Sequence, residues 1–243
     1  MITQYFENIH KLLYTVEQNE KAKLYLAAEK IATGIQNDGI VYLFGCGHSH
    51  LLTEEVFYRA GGLVPISPIF VEELMLHKGA LRSSSLERKN DYAKSFMNEI
   101  KINSNDVMIV ISTSGRNPVP IDVALYGKEK GAFVIGISSE TYSKSQKSKH
   151  TTGKYLCDTV DLHIDNHSVK GDALVTHHMS SVAFGPSSTV IGAAILNSIM
   201  VEAIKVMLEN GYEAPVFKSG NLEHADEYNL QLIKKYKERI SLF

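Results

Sequence analysis

Ile40-Val41-Tyr42-Leu43-Phe44-Gly45-Cys46-Gly47-His48-Ser49-His50 passes from a run of apolar strand formers straight into small polar residues. The same change recurs at Val107-Met108-Ile109-Val110-Ile111-Ser112-Thr113-Ser114-Gly115-Arg116-Asn117. A continuous apolar run reads as a strand buried on both faces, which is the mark of a parallel sheet covered by helices. Helical periodicity follows each turn, over 51–60 and 119–130. A hydroxyl-rich turn between such a strand and a helix exposes backbone N–H groups at the positive end of the helix dipole. Phosphate binds there without needing a lysine. Two such turns on one sheet edge point to a phosphorylated small molecule.

Outward from these turns, 3–37 reads as one or two amphipathic helices, stopped by Asn37-Asp38-Gly39. Leu63-Val64-Pro65-Ile66 reads as a short second strand, and 67–105 is irregular until a polar helix over 86–101. A connection that long inside a domain is often functional. Strands are expected at 107–111, 133–137 and 160–164, the last at the sheet edge, with a mobile polar loop over 138–153. An apolar helix follows over 189–210 and an amphipathic one over 222–240. Strands alternating with helices predict a doubly wound α/β fold with a five-stranded parallel sheet. The expected division is an N-terminal helical extension at 1–38, the α/β domain at 39–210 and a tail with a helix at 211–243.

Composition narrows the functions. A net charge of −2 carries no basic surplus, which argues against nucleic acid as a partner. No signal-peptide pattern opens the chain, and no apolar run reads as the roughly 20 residues that span a bilayer. Two cysteines, Cys46 and Cys157, make no disulfide framework. A cytoplasmic protein with no membrane partner is the expectation. Gly45-Cys46-Gly47 lacks the third glycine of a dinucleotide fingerprint, and no acidic residue ends the second strand; no Gly-Lys-Ser or Gly-Lys-Thr of a Walker loop occurs. Cys46, His48 and His50 stand two apart across a turn, which is not a zinc spacing, so no metal is expected.

The motifs Gly45-Cys46-Gly47-His48-Ser49 and Ile111-Ser112-Thr113-Ser114-Gly115 resemble those of the SIS (sugar isomerase) domain family, over 40–206. Gly185-Pro186-Ser187-Ser188-Thr189 is similar to the Pro-x-Ser-Ser-Thr segment of arabinose-5-phosphate isomerases. The whole chain looks like stand-alone SIS proteins labelled phosphoheptose isomerase-like, which share a tail similar to Val216-Phe217-Lys218-Ser219-Gly220-Asn221. The resemblance implies a phosphorylated sugar held by Gly47, His48, Ser49, Ser112, Thr113, Ser114, Asn117 and Ser188. Asn117 stands where the family often has threonine. The resemblance also implies a homodimer or homotetramer with sites at the interface, and no cofactor, since the opened sugar's carbonyl is its own electron sink.

Aldose–ketose isomerisation needs a base to move a proton between C1 and C2 and an acid to open the ring. Phosphoheptose isomerases carry a glutamate in the helix after the first loop and a histidine in the last long helix. Here the first stretch reads Phe57-Tyr58-Arg59-Ala60, and 189–210 holds no histidine. The base is therefore sought among Glu54, Glu55, Glu72 and Glu73, with Glu55 and Glu72 preferred. His178 is the expected ring-opening acid, as its type titrates in the useful range. Glu87, after Ser83-Ser84-Ser85, reads equally as a first-turn helix acid. Phosphosugar isomerase is the favoured activity. The alternatives are a non-catalytic sugar-phosphate sensor acting on a partner protein, and a SIS-type lyase or etherase on an amino-sugar phosphate.

Overall fold

The computed structural model describes all residues, Met1–Phe243. Five parallel strands, β1 (Val41–Gly45), β2 (Ile66–Pro68), β3 (Val107–Ile111), β4 (Phe133–Ser138) and β5 (Leu162–Asp165), form one sheet in the order β2-β1-β3-β4-β5. From β1 the chain winds one way to β2; from β3 it winds the other way to β4 and β5. The switch point therefore lies between β1 and β3.

Strand side chains alternate between two cores with the two-residue period of a pleat. Leu43, Ile109, Ile135 and Ile164 join α1 (Ile2–Asn19), α2 (Lys21–Gln36), α3 (His50–Glu55) and α8 (Ser188–Glu209) on one face. Tyr42, Phe44, Met108 and Val110 join α4 (Ala80–Glu87), α5 (Lys94–Met97), α6 (Pro118–Glu129) and α9 (Ala225–Tyr236) on the other. The remaining helix, α7 (Glu140–Lys144), follows β4. Length and hydropathy would let α8 cross a membrane, contrary to the reading that no apolar run is long enough. Its Ile191, Ile195, Ile199 and Ala203 are instead buried in the core. Gly192 makes room for Leu52 of α3: a Cβ there would lie 2.4 Å from a Leu52 methyl.

Several boundaries move for identifiable reasons. The helix expected at 51–60 ends at Glu55, and Gly61 N–H then bonds Phe217 C=O (2.8 Å). The second strand lies at 66–68 because residues 63–64 pair with the tail instead, through an antiparallel Leu63–Val216 bridge and a Val64 N–H bond to Pro215 C=O (2.8 Å). No helix fills 86–101. The chain is helical at 80–87 and 94–97, broken between them where Asp91 takes a φ of 62°. The stretch 138–153 contains α7 and is tied down, with His150 buried and its Nε2 2.9 Å from the Asp122 carboxylate. The last strand runs 162–165 rather than 160–164.

A buried ion pair fastens the C-terminal segment to the opposite edge of the sheet. The Asp106 carboxylate, fully buried before β3, accepts from Ile40 N–H (2.8 Å), Asn103 N–H (2.6 Å) and the Arg239 guanidinium (2.7 Å). Arg239 also donates to Asp38 C=O (3.1 Å). Removing one partner of a buried pair leaves a charge without its counterion. Arg239→Met is expected to cost about 3 kcal/mol, because Asp106 keeps both backbone donors. Denaturant unfolding checks this; an unchanged midpoint would show that the clamp contributes nothing.

Candidate functional site

Gly45 lies opposite Ile111 in the parallel ladder, so the loops after β1 and β3 leave the sheet side by side at the switch point. The first loop turns at once. A Cβ on Gly45 would lie 2.6 Å from Ser49 C=O, a closeness only glycine allows. A single 3-10 turn, Gly47–Ser49, leads into α3. Cys46 is buried, and burial pushes its thiol well above the ordinary range. His50 turns inward, its Nδ1 against Gly47 C=O and its Nε2 3.7 Å from the Glu54 carboxylate. His48 is exposed and Ser49 half-buried at the mouth. Cys46, His48 and His50 thus do not converge, and no set of three such groups is arranged to hold a metal ion.

The second loop is fixed by its carbonyls. Ser112 C=O accepts from Gly115 N–H (2.9 Å), Thr113 C=O from Ser139 N–H (2.8 Å), and Ser114 C=O from the Ser143 hydroxyl (2.8 Å). Gly115 C=O accepts from Leu156 N–H (2.8 Å) and Arg116 C=O from Lys149 N–H (2.9 Å). The N–H groups of Thr113, Ser114, Arg116 and Asn117 donate to nothing in the chain. The backbone carbonyls from Ser112 to Arg116 are all used and these four donors are free, a polarity that suits an anion. The hydroxyls of Ser49, Thr113 and Ser114 are likewise unengaged. The helix dipoles matter less than the sequence suggested. α3 has six residues, and α6 opens Pro118-Val119-Pro120, so two positions of its first turn carry no N–H. Loop amides make the cradle.

Glu87 ends α4, which packs against the turn of the first loop and against α6. Its charge lifts the Cys46 thiol and the Asn117 side chain acts on its carboxyl, so it faces both loops. Burial raises its carboxyl above the ordinary 4.5, while the Asn117 amide, then Arg88 and Lys149, pull it back. Asn117 Oδ1 is buried without a donor.

The other expected residues do not join this group. Glu55 is tied to Arg59 and to the Asn197 amide (3.1 Å) on the α8 side of the sheet. Glu72 is exposed and paired with Lys78 (2.9 Å), which holds its carboxyl below the usual value. His178 stacks on His177 (4.3 Å between rings) at an exposed turn between β5 and α8. Ser188 is spent on structure: Asp172 accepts from its N–H (2.9 Å) and hydroxyl (2.6 Å), and from Ser187 N–H and hydroxyl, capping α8. Glu87 was visible in the sequence, but its meaning depended on α4 ending at 87 rather than a helix beginning at 86.

The SIS domain sequence profile matches residues 4–139, more than half the chain and including both loops. The chain belongs to the SIS domain family. The UPF0309 protein of Halalkalibacterium halodurans is 63% identical over 242 residues, covering 100% of this SIS protein and 97% of the relative. The UPF0309 protein of Caldanaerobacter subterraneus subsp. tengcongensis is 40% identical, covering 99% of each. The fold is shared with the phosphoheptose isomerase of Francisella tularensis (TM-score 0.54, 13% identity, 84% of this chain and 96% of that one). It is shared also with the phosphoheptose isomerase GmhA of Neisseria gonorrhoeae (TM-score 0.52, 15% identity, the same coverage).

Gly115 is the position on which the cradle turns. Its φ is 58°, and a Cβ would lie 2.8 Å from Ser143 Oγ and 3.2 Å from Ser138 Cβ. Gly115→Ala is expected to keep the fold, lose about 1–2 kcal/mol of stability from the left-handed backbone, and weaken any anion binding at the loop by about tenfold or more as the loop shifts. Calorimetry of the variant against inorganic phosphate and a sugar phosphate measures both effects. Unchanged affinity would mean that the loop is not the anion site.

Proposed function

We propose that this SIS protein binds a phosphorylated sugar or amino sugar between the β1 and β3 loops and interconverts its aldose and ketose forms, with Glu87 as the base. The observation that carries this reading is the placement of Glu87. It is a half-buried carboxylate, raised by burial, beside a row of free amides at the switch point of the sheet. The phosphoheptose isomerases sharing the fold support it by analogy.

The phosphate sits on the N–H groups of Thr113, Ser114, Arg116 and Asn117, with the hydroxyls of Ser49, Thr113 and Ser114 completing the oxygens' partners. The tethered end of the opened sugar leaves C1 and C2 toward Glu87. Ionised Glu87 takes the C2 proton; the electron pair forms the enediolate and a proton is gained at O1. The same carboxyl returns its proton to C1, and O2 gives up its own as the ketone forms. Burial favours this, because a base is stronger when its charge is poorly solvated. Asn117 holds the carboxylate in place, and its buried Oδ1 suits a sugar hydroxyl. Exposed His48 is positioned at the mouth to donate to a ring or carbonyl oxygen.

The working form of Glu87 is the anion. Since its carboxyl is raised, activity should climb with pH along an acid limb lying above the ordinary glutamate value of 4.5, and Glu87→Gln should remove that limb. The variant should lose roughly 10²–10⁴ in the rate of deuterium uptake from heavy water into a bound sugar phosphate, with affinity kept or raised as a negative group leaves the pocket. NMR of the exchanging C–H reports it. Exchange undiminished in Glu87→Gln would remove Glu87 from the mechanism. No exchange from any sugar phosphate that binds would make the crevice a sensor's site.

A further inference from the structure

Three cations crowd the mouth of the crevice, from three separate pieces of chain. Arg88 caps the end of α4 next to Glu87, Arg116 lies in the second loop, and Lys149 follows α7. Hydrogen bonds to backbone carbonyls hold these pieces together. Lys149 N–H donates to Arg116 C=O (2.9 Å), Arg116 Nε donates to Lys147 C=O (2.9 Å), and the Asn90 amide donates to Lys149 C=O (3.4 Å). Asn90 also accepts from Thr151 N–H (2.9 Å), tying this stretch to the chain just beyond Arg88.

None of the three makes an ion pair. Other cations near this end of the molecule are matched, Lys78 with Glu72, Arg82 with Glu73, Lys94 with Asp91 and Lys144 with Glu140; what sets these three apart is that they are unpaired and gathered together. At the crevice the guanidiniums of Arg88 and Arg116 instead add to burial in holding the Lys149 ammonium below its ordinary value, with Glu87 the one carboxylate opposing them. Like charges held together without counterions cost the free protein energy that an arriving anion restores. The phosphate does not account for them, because the loop amides and hydroxyls already satisfy it. Glu87 would moreover repel a second anionic group unless cations outnumbered it, and here they do, three to one.

We infer that the ligand carries a second anionic group, a carboxylate or a second phosphate, seated on Arg88, Arg116 and Lys149. The inference rests on the phosphosugar reading of the crevice and adds the class of sugar to it: an acidic sugar phosphate or a sugar bisphosphate. Guanidinium forks match either group in bidentate fashion. Arg88 and Lys149 come from outside the amide cradle, so they select the ligand rather than anchor its phosphate.

Calorimetric titration of the whole protein with inorganic phosphate, glucose 6-phosphate, 6-phosphogluconate and fructose 1,6-bisphosphate tests this, in low and moderate salt. At least one of the two doubly anionic probes should bind about tenfold or more tighter than glucose 6-phosphate, with a steeper loss of affinity as salt rises. Whichever probe wins identifies the second group as carboxylate or phosphate. In Arg88→Gln with Lys149→Gln, folding being checked by circular dichroism, that preference should shrink to within about threefold. Doubly anionic probes binding no tighter than glucose 6-phosphate would overturn the inference and leave the phosphosugar reading standing. A preference that survives the double substitution would also overturn it. Binding of none of the sugar phosphates would overturn both.

Discussion

Gly45 and Ile111 face each other across the β1–β3 ladder, and the chemistry available to this protein follows from that pairing. Parallel strands must be joined by crossovers that return over the sheet, so every loop leaving a strand's C-terminal end falls on one edge. At the switch point two crossovers diverge, one toward β2 and one toward β4, and open a gap that neither helix covers. The amides of the second loop line that gap because their own carbonyls are bonded within the loop, to Ser139 and Ser143 around α7, and to the stretch beyond it. The cradle's shape is thus set in large part by residues outside the loop, Ser139, Ser143, Lys149 and Leu156.

Two carboxylates show how position converts similar groups to different ends. Asp172 is saturated by four donors from Ser187 and Ser188 and serves to cap the start of α8. Glu87 meets the Asn117 side chain and the charges of Arg88 and Lys149, yet burial still raises its carboxyl. The first is locked into a helix cap and the second keeps a raised carboxyl, although both are acids near the start or end of a helix. The same contrast separates Glu87 from exposed Glu72, whose pairing with Lys78 holds its carboxyl below the ordinary value.

The β3 strand was readable to the residue, and β1 and β4 to within one, because they are apolar runs buried on both faces and bounded by polar turns. The two hydroxyl loops were readable for the same reason: an abrupt change of composition at a strand end has few structural meanings. Boundaries failed where the partner came from far along the chain. The tail at 215–217 captured residues 61–64 and displaced β2 toward 66–68. Ser188 carried the right hydroxyl in the right motif, but Asp172, sixteen residues earlier, consumed it.

Local pattern alone therefore determined the parallel sheet, its helical cover and the two anion-ready turns, since period, apolar run length and turn composition are properties of neighbouring residues. Only the folded chain decided which carboxylate meets those turns and which cations surround it. Glu87, Asn117 and Lys149 are separated by tens of residues, and a side chain's solvation and charge partners, which set its acidity, exist only once such segments pack together.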